Sequence, residues 1–213
     1  MTESNVYPDK QGNPPISCQA ELWRKGLHIA SAVIPLSLLF LNRSVVLRLL
    51  IPLTLLALIA EVVRARSPAF QAWLSRYVGF MMRAEECLLE GKILCINGAT
   101  WVLISCTLII ILFPTPIAIA SLLTALIGDG VAALVGRRWG RHRIGSTPRT
   151  WEGTLAFVIA ALLVVGPLGL LPFPLLLAGV LAGALAEIVP SSLNDNLRIP
   201  LFSALVMWLG SFF

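Results

Sequence analysis

From Leu27 onward the chain alternates between long apolar runs and short polar or basic breaks. Seven runs come near the length of about 20 residues that carries a helix across a bilayer. They are approximately Leu27–Leu41, Val45–Val63, Ile93–Phe113, Pro116–Val135, Gly153–Leu171, Pro172–Val189 and Leu197–Phe213. The first is short unless Glu21–Gly26 extends it into the headgroup region, and the fifth and sixth meet at an uncharged Leu171-Pro172 turn. This pattern predicts an all-α, polytopic membrane protein with about seven transmembrane helices in a single domain, residues 21–213. Residues 1–20 are polar and contain no apolar core of a signal peptide, so they read as a disordered tail.

One break carries its own periodicity. Between Arg64 and Lys92, the residues Phe70, Trp73, Leu74, Tyr77, Val78 and Met81 recur at helical spacing, with Arg76 and Arg83 elsewhere on the wheel. Such a stretch predicts an amphipathic helix lying in the membrane interface. It is either a surface anchor or the floor through which a lipid reaches an internal site.

Composition sharpens the class. The chain is 57% hydrophobic and 13% charged, roughly half the charge of a soluble domain, and its mean hydropathy is +0.86. A net charge of +5 invites a nucleic-acid reading, but the basic residues sit in short loops rather than in a basic domain, so no nucleic-acid partner is expected. With the N-terminus in the cytoplasm, only Arg43 and Arg48 of the 16 basic residues fall on the far side. That asymmetry is the inside-positive signature, and it puts the chemistry on the cytoplasmic face. The four cysteines (Cys18, Cys87, Cys95 and Cys106) form no CxxC pair and no Cys/His ligand spacing, which argues against a disulfide framework or a zinc site.

Four polar clusters remain, each at the cytoplasmic end of an apolar run. Glu21, Arg24, Lys25 and His28 share one helix face, where Glu21 can pair with Lys25 and leave Arg24 and His28 available. Asp129 stands inside the fourth run, about two turns before Gly136. An ionisable group in a membrane helix is costly and faces a cavity or a partner, and Gly128 and Gly130 strip side chains from around it. GDGVAA also fits GxGxxA, but that fingerprint requires a preceding strand, and no Walker loop is present. The basic loop follows with Arg137, Arg138, Arg141, His142, Arg143 and Arg149, after which Thr150 and Glu152 open the fifth run. Guanidinium forks suit phosphate oxygens, and a helix N-terminus favours an anion. Glu187 and Asn194-Asp195-Asn196 form the fourth cluster; oxygen ligands of this kind suit Mg²⁺, which takes one or two carboxylates plus substrate phosphates.

Taken in order, E-x-x-R-K-x-x-H at Glu21–His28, G-A-T-W at Gly98–Trp101, G-D-x-x-A-x-x-x-G with a following E-G over Gly128–Gly153, and E…D-N…I-P at Glu187–Pro200 resemble the membrane lipid-kinase family of dolichol kinase, phytol kinase and the CTP-dependent diacylglycerol kinases. The phosphatidate cytidylyltransferases are a more distant likeness. The resemblance implies an all-helical enzyme that moves a phosphoryl group, often from CTP, to a lipid alcohol, with Arg24, Lys25, Asp129, Gly136 and Thr150–Gly153 as functional positions. Two positions depart from the family pattern: Arg149 stands where a lysine is expected, and Asn194 where an aspartate is expected.

The expected site therefore has Asp129, Arg24, Lys25 and His28 as catalytic groups. Gly128, Gly136, Arg137, Arg138, Arg141, Arg149, Thr150, Glu152 and Gly153 bind nucleotide, and Asp129, Glu187 and Asp195 hold Mg²⁺. CTP or ATP is the donor, a polyprenol, phytol or diacylglycerol the acceptor. A phosphatidate cytidylyltransferase, or a transporter or non-catalytic scaffold, is the competing reading.

Overall fold

The structure, a computed structural model, describes residues 25–78, 96–145 and 147–212. Glu21 and Arg24, the continuation of the amphipathic stretch through Met81 and Arg83, and Cys18, Cys87 and Cys95 lie outside the described residues. Helical residues 25–30 are followed by α1 (Val33–Ser37), α2 (Arg43–Arg66), α3 (Pro68–Val78), α4 (Gly98–Leu112), α5 (Thr115–Trp139), α6 (Trp151–Val165), α7 (Phe173–Ile188) and α8 (Asp195–Gly210). Among the described residues no strand forms, and Arg143 and Thr150 make one isolated bridge.

Among the described residues three helices are long and apolar enough to cross a membrane: α2, α5, and α6 together with the short 3₁₀ turn that ends it. They differ in what covers them. Over the most apolar stretch of α5, 78% of residues are buried inside the protein, against 22% for α2 and for α6. The central position of α5 follows from its small side chains. Ala118, Ala120, Ala125, Gly128, Gly130 and Ala132 are all buried, and small residues let neighbouring helices approach closely where lipid offers no hydrophobic drive to associate. α6, α7 and α8 pack around it, while α2 turns Leu49, Leu53, Leu56 and Ile59 outward.

The first apolar run differs from the continuous span its composition suggests. Pro35 has no N–H to offer the carbonyl four residues back. The Ser31 carbonyl is taken instead by the Ile34 N–H at 3.0 Å, and a turn separates residues 25–30 from α1. The third run begins later than its hydrophobicity suggests, because Asn97 caps α4 by accepting from the Thr100 N–H. The seventh begins two residues earlier, because the Asn194 side chain accepts from the Asn196 N–H and starts α8 at Asp195. The amphipathic pattern is realised as α3, with Trp73 exposed.

Candidate active site

Asp129 lies toward the C-terminal end of the packed region of α5 and is only 6% exposed. Its two glycine neighbours are there for packing. A Cβ on Gly128 would fall 2.7 Å from the Phe157 ring of α6, and one on Gly130 would fall 2.7 Å from Ile29. The glycines thus bring α6 and the helical residues 25–30 hard against α5. That second approach delivers Lys25 to Asp129, Nζ to Oδ2 at 2.5 Å, with His28 Nε2 3.7 Å from the same oxygen. Lys25 therefore reaches across 104 residues of sequence to an intramembrane carboxylate.

Arg149 enters from the opposite side. The loop after α5 is folded on itself: the Ile144 N–H donates to the Arg149 carbonyl and the Trp151 N–H to the His142 carbonyl, with Gly145 at a left-handed φ of 56°. The Thr150 side chain caps α6 by accepting from the Gly153 N–H. This framework fixes the Arg149 backbone and points the side chain inward. Its Nη1 lies 3.0 Å from Glu187 Oε1 and 3.9 Å from Asp129 Oδ1, and its Nη2 lies 2.7 Å from Asp195 Oδ2. Arg198 meets Asp195 from one turn further along α8. Three carboxylates and three bases from separate parts of the chain thus form one network.

The network borders a cavity of about 740 Å³. Lys25, His28, Asp129, Arg149, Thr150, Glu187 and Asp195 line it, joined by Gly136, Arg137 and Gly153. Leu27, Leu74 of α3, Ala99 and Val102 give it an apolar side. The remaining expected site residues lie elsewhere. Gly128 is under the Phe157 ring, and Arg138 stacks its guanidinium 5.4 Å from the centre of the Trp139 ring. Arg141 is exposed on the loop. Glu152 receives the His142 ring nitrogen at 2.7 Å and backbone N–H at 3.3 Å, so it pins the loop to the start of α6. Arg24 is outside the described residues.

No protein-family model and no solved structure matches the chain. Curated sequences do. The chain is 31% identical to CTP-dependent diacylglycerol kinase 1 of Schizosaccharomyces pombe, over 72% of its own length and 75% of that protein's. It is 45% identical to a phytol kinase of Synechocystis sp. over 40% of each chain. It is 40% identical to a dolichol kinase of Saccharomyces cerevisiae over 36% of its own length and 16% of that protein's. The chain belongs to this family of lipid kinases. It spans less than half the length of the phytol and dolichol kinases it matches, and three quarters of the diacylglycerol kinase.

In a lipid kinase the nucleotide travels with a divalent cation. Among the described residues, no three His, Cys, Asp or Glu groups stand close enough together to hold a metal ion; each cavity carboxylate is instead paired with a base. The donor set nonetheless suits a hard cation in its chemistry. Asp129, Glu187 and Asp195 are oxygen ligands, and Glu187 Oε2 is buried with no hydrogen-bond partner.

One buried cluster near the cavity was legible only in part. Glu61 reads from the sequence as a snorkelling or paired residue at the end of the second run. In the structure it is paired with Arg64 (2.7 Å) and also accepts from the Asn97 N–H and the Thr100 hydroxyl. It thereby clamps the start of α4 onto α2. Asn196 closes the other flank by donating its side-chain amide to the Gly98 carbonyl. The G-A-T-W stretch is therefore where two helices are tied to the cavity wall. Of the partners of Glu61, Thr100 was marked only by its place in that stretch, and Asn97 carried no signal beyond being polar at the edge of an apolar run.

Proposed function

We propose that this lipid-kinase family member moves the γ-phosphoryl group of a nucleoside triphosphate, CTP in preference to ATP, onto the hydroxyl of a lipid alcohol at the cytoplasmic face of the bilayer. The observation that carries the reading is the double character of one cavity: an ionic wall built from Lys25, Asp129, Arg149, Glu187 and Asp195 faces an apolar side of Leu27, Leu74 and Val102. A water-soluble triphosphate and a membrane-soluble alcohol need such a place to meet. CTP is favoured because the S. pombe relative, matched over most of the chain, bears that nucleotide in its name. A polyprenol, phytol or diacylglycerol fits as acceptor, with its tail along Leu27 and Leu74. The cytoplasmic face and the cytoplasmic N-terminus rest on the asymmetric distribution of basic residues, and about seven crossings on the seven apolar runs.

In the reaction, the lipid hydroxyl oxygen bonds to the γ-phosphorus. The bond from that phosphorus to the β,γ-bridging oxygen breaks, and the nucleoside diphosphate leaves with the electron pair. The hydroxyl proton passes to His28 or to a cavity carboxylate. Lys25 and Arg149, with Arg24 and Arg137, neutralise charge on the transferring group, the largest contribution a protein makes to phosphoryl transfer. A divalent cation, when bound by Asp129 with Glu187 or Asp195, supplies further neutralisation of the phosphate oxygens. Purified protein incubated with γ-labelled CTP and a panel of lipid alcohols should yield labelled lipid. Label entering phosphatidate from α-labelled CTP instead would make the chain a cytidylyltransferase. Solute uptake into proteoliposomes without nucleotide, and no labelled lipid, would make it a transporter.

A further inference from the structure

Three carboxylates, one each from α5, α7 and α8, share the single guanidinium of Arg149. Counted with Lys25 on Asp129 and Arg198 on Asp195, three negative groups meet three positive ones. Each carboxylate thus has at least one base beside it. That pairing is needed, because like charges this close together cannot all stay ionised without compensation. A forked guanidinium can span several acceptors at once, which a point-like ammonium cannot.

Two features leave room for a second arrangement. The Arg149 backbone is fixed by the Ile144 N–H and the neighbouring Thr150 cap, but its side chain is 25% exposed to the cavity on a long flexible stem. The second oxygen of Glu187, whose side chain is only 3% exposed, has no hydrogen-bond partner. A buried carboxylate oxygen left in this state is costly, and a hard cation beside it would relieve that cost.

We infer that the Arg149 guanidinium and a divalent cation are alternative partners of Asp129, Glu187 and Asp195, the carboxylates drawing together onto a cation only when Arg149 leaves them. In the arrangement described, Arg149 holds the carboxylates in place. When a cation-bearing triphosphate arrives, the cation takes the carboxylates and Arg149 swings onto the phosphate oxygens, which suit its fork equally well. The exchange keeps the carboxylates from repelling one another before substrate binds, and delivers a positive group to the phosphates only once the cation is in place. The purpose of the exchange rests on the kinase reading of the cavity, but its test does not.

The test uses Mn²⁺ alone, without nucleotide or lipid, on the purified full chain in detergent, with bound cation read by electron paramagnetic resonance. The wild type should bind Mn²⁺ weakly. Arg149→Ala should bind one Mn²⁺ at least about tenfold more tightly, the scale on which ligand-supporting groups alter metal affinity, and adding Glu187→Gln should remove the gain. Arg149→Gln, which keeps bulk and hydrogen-bonding capacity without charge, should behave as Arg149→Ala does if the latter is unstable. Tight stoichiometric Mn²⁺ binding by the wild type overturns the exchange, as does unchanged or weaker binding by the Arg149 variants. A chain that passes this test and yet labels no lipid keeps the exchange and loses the kinase.

Discussion

Two buried ionic clusters lie on either side of the start of α4, and they are finished to different degrees. In the first, both Glu61 oxygens are engaged: Oε2 by Arg64, Oε1 by the Asn97 N–H and the Thr100 hydroxyl. Glu61 and Arg64 are each 3% exposed. In the second, Asp129, Glu187 and Asp195 share bases across a 740 Å³ cavity, one Glu187 oxygen has no donor, and Arg149 is a quarter exposed. Ionisable groups are expensive inside a membrane protein wherever they occur. A cluster whose acceptors are all filled repays that cost in architecture, here by holding α2 to α4. A cluster left open toward a cavity has valence to spare for something that comes and goes. Asp129 and Glu187 are buried nearly as deeply as Glu61; the unfilled acceptor, the exposure of Arg149 and Asp195 and the adjoining space are what separate a brace from a site.

The sharpest way to break this comparison is to remove one carboxylate from each cluster. Asp129→Ala should lower lipid phosphorylation by about a thousandfold or more, the scale of losing a charge-positioning group in phosphoryl transfer, while the protein elutes as a folded species in detergent. A variant with near wild-type turnover would remove Asp129 from the chemistry. Glu61→Ala should do the reverse. It removes the carboxylate of a buried ion pair, and breaking a buried pair costs roughly 3 kcal/mol or more, so thermal unfolding in detergent should move sharply downward. The fraction that remains folded should keep the nucleotide KM of the wild type. A Glu61→Ala protein with normal stability and a raised KM would mean that both clusters belong to the site.

How much of this could be read from the sequence depends on whether the information is local. Helix existence was legible because apolar runs of that length have little alternative, and the polar clusters were legible because charge is rare here. The ends of helices were less so: Asn97 and Asn194 act as caps through one side-chain hydrogen bond each, which hydropathy does not register. Pro35 broke the first run although the residues flanking it from Ala32 to Leu41 are apolar apart from Ser37. The partner of Lys25 could not be found locally. Helical spacing offered Glu21, whereas the structure supplies Asp129 through the close approach that Gly130 permits. Likewise Gly128 and Gly130 left open whether backbone or a ligand approaches Asp129 closely, and the structure puts Phe157 and Ile29 there. The basic loop divided in a way no count of arginines could reveal: folding of residues 140–150 turns Arg149 inward and leaves Arg138, Arg141 and Arg143 outside.

That division gives a smaller test of the comparison, directed at the scaffold of the open cluster. A Cβ on Gly140 would fall 2.2 Å from the Gly136 carbonyl oxygen and 2.7 Å from the Thr150 side chain. Neither backbone nor cap can yield cheaply, and overpacking of this kind costs about 1–3 kcal/mol. Gly140→Ala should therefore displace the loop that carries Arg149, raising the nucleotide KM more than it lowers the unfolding temperature. A loss of stability with unchanged KM would show that the loop's packing and the placement of Arg149 are independent.

The smallest expected effect falls on the cap itself. Thr150 is buried and its hydroxyl accepts the Gly153 N–H at 3.2 Å, while its backbone adjoins the residue whose guanidinium spans the carboxylates. Thr150→Ala removes the acceptor, and loss of a helix N-cap costs about 1 kcal/mol. Thr150→Ser keeps the acceptor and should restore stability. If the cap only starts α6, Thr150→Ala will lower the unfolding temperature slightly and leave kinetics alone. If it also orients Arg149, nucleotide KM will rise in Thr150→Ala and recover in Thr150→Ser. The second outcome is expected, because the backbone that Thr150 fixes is the hinge on which the Arg149 side chain turns between the open cluster and the cavity.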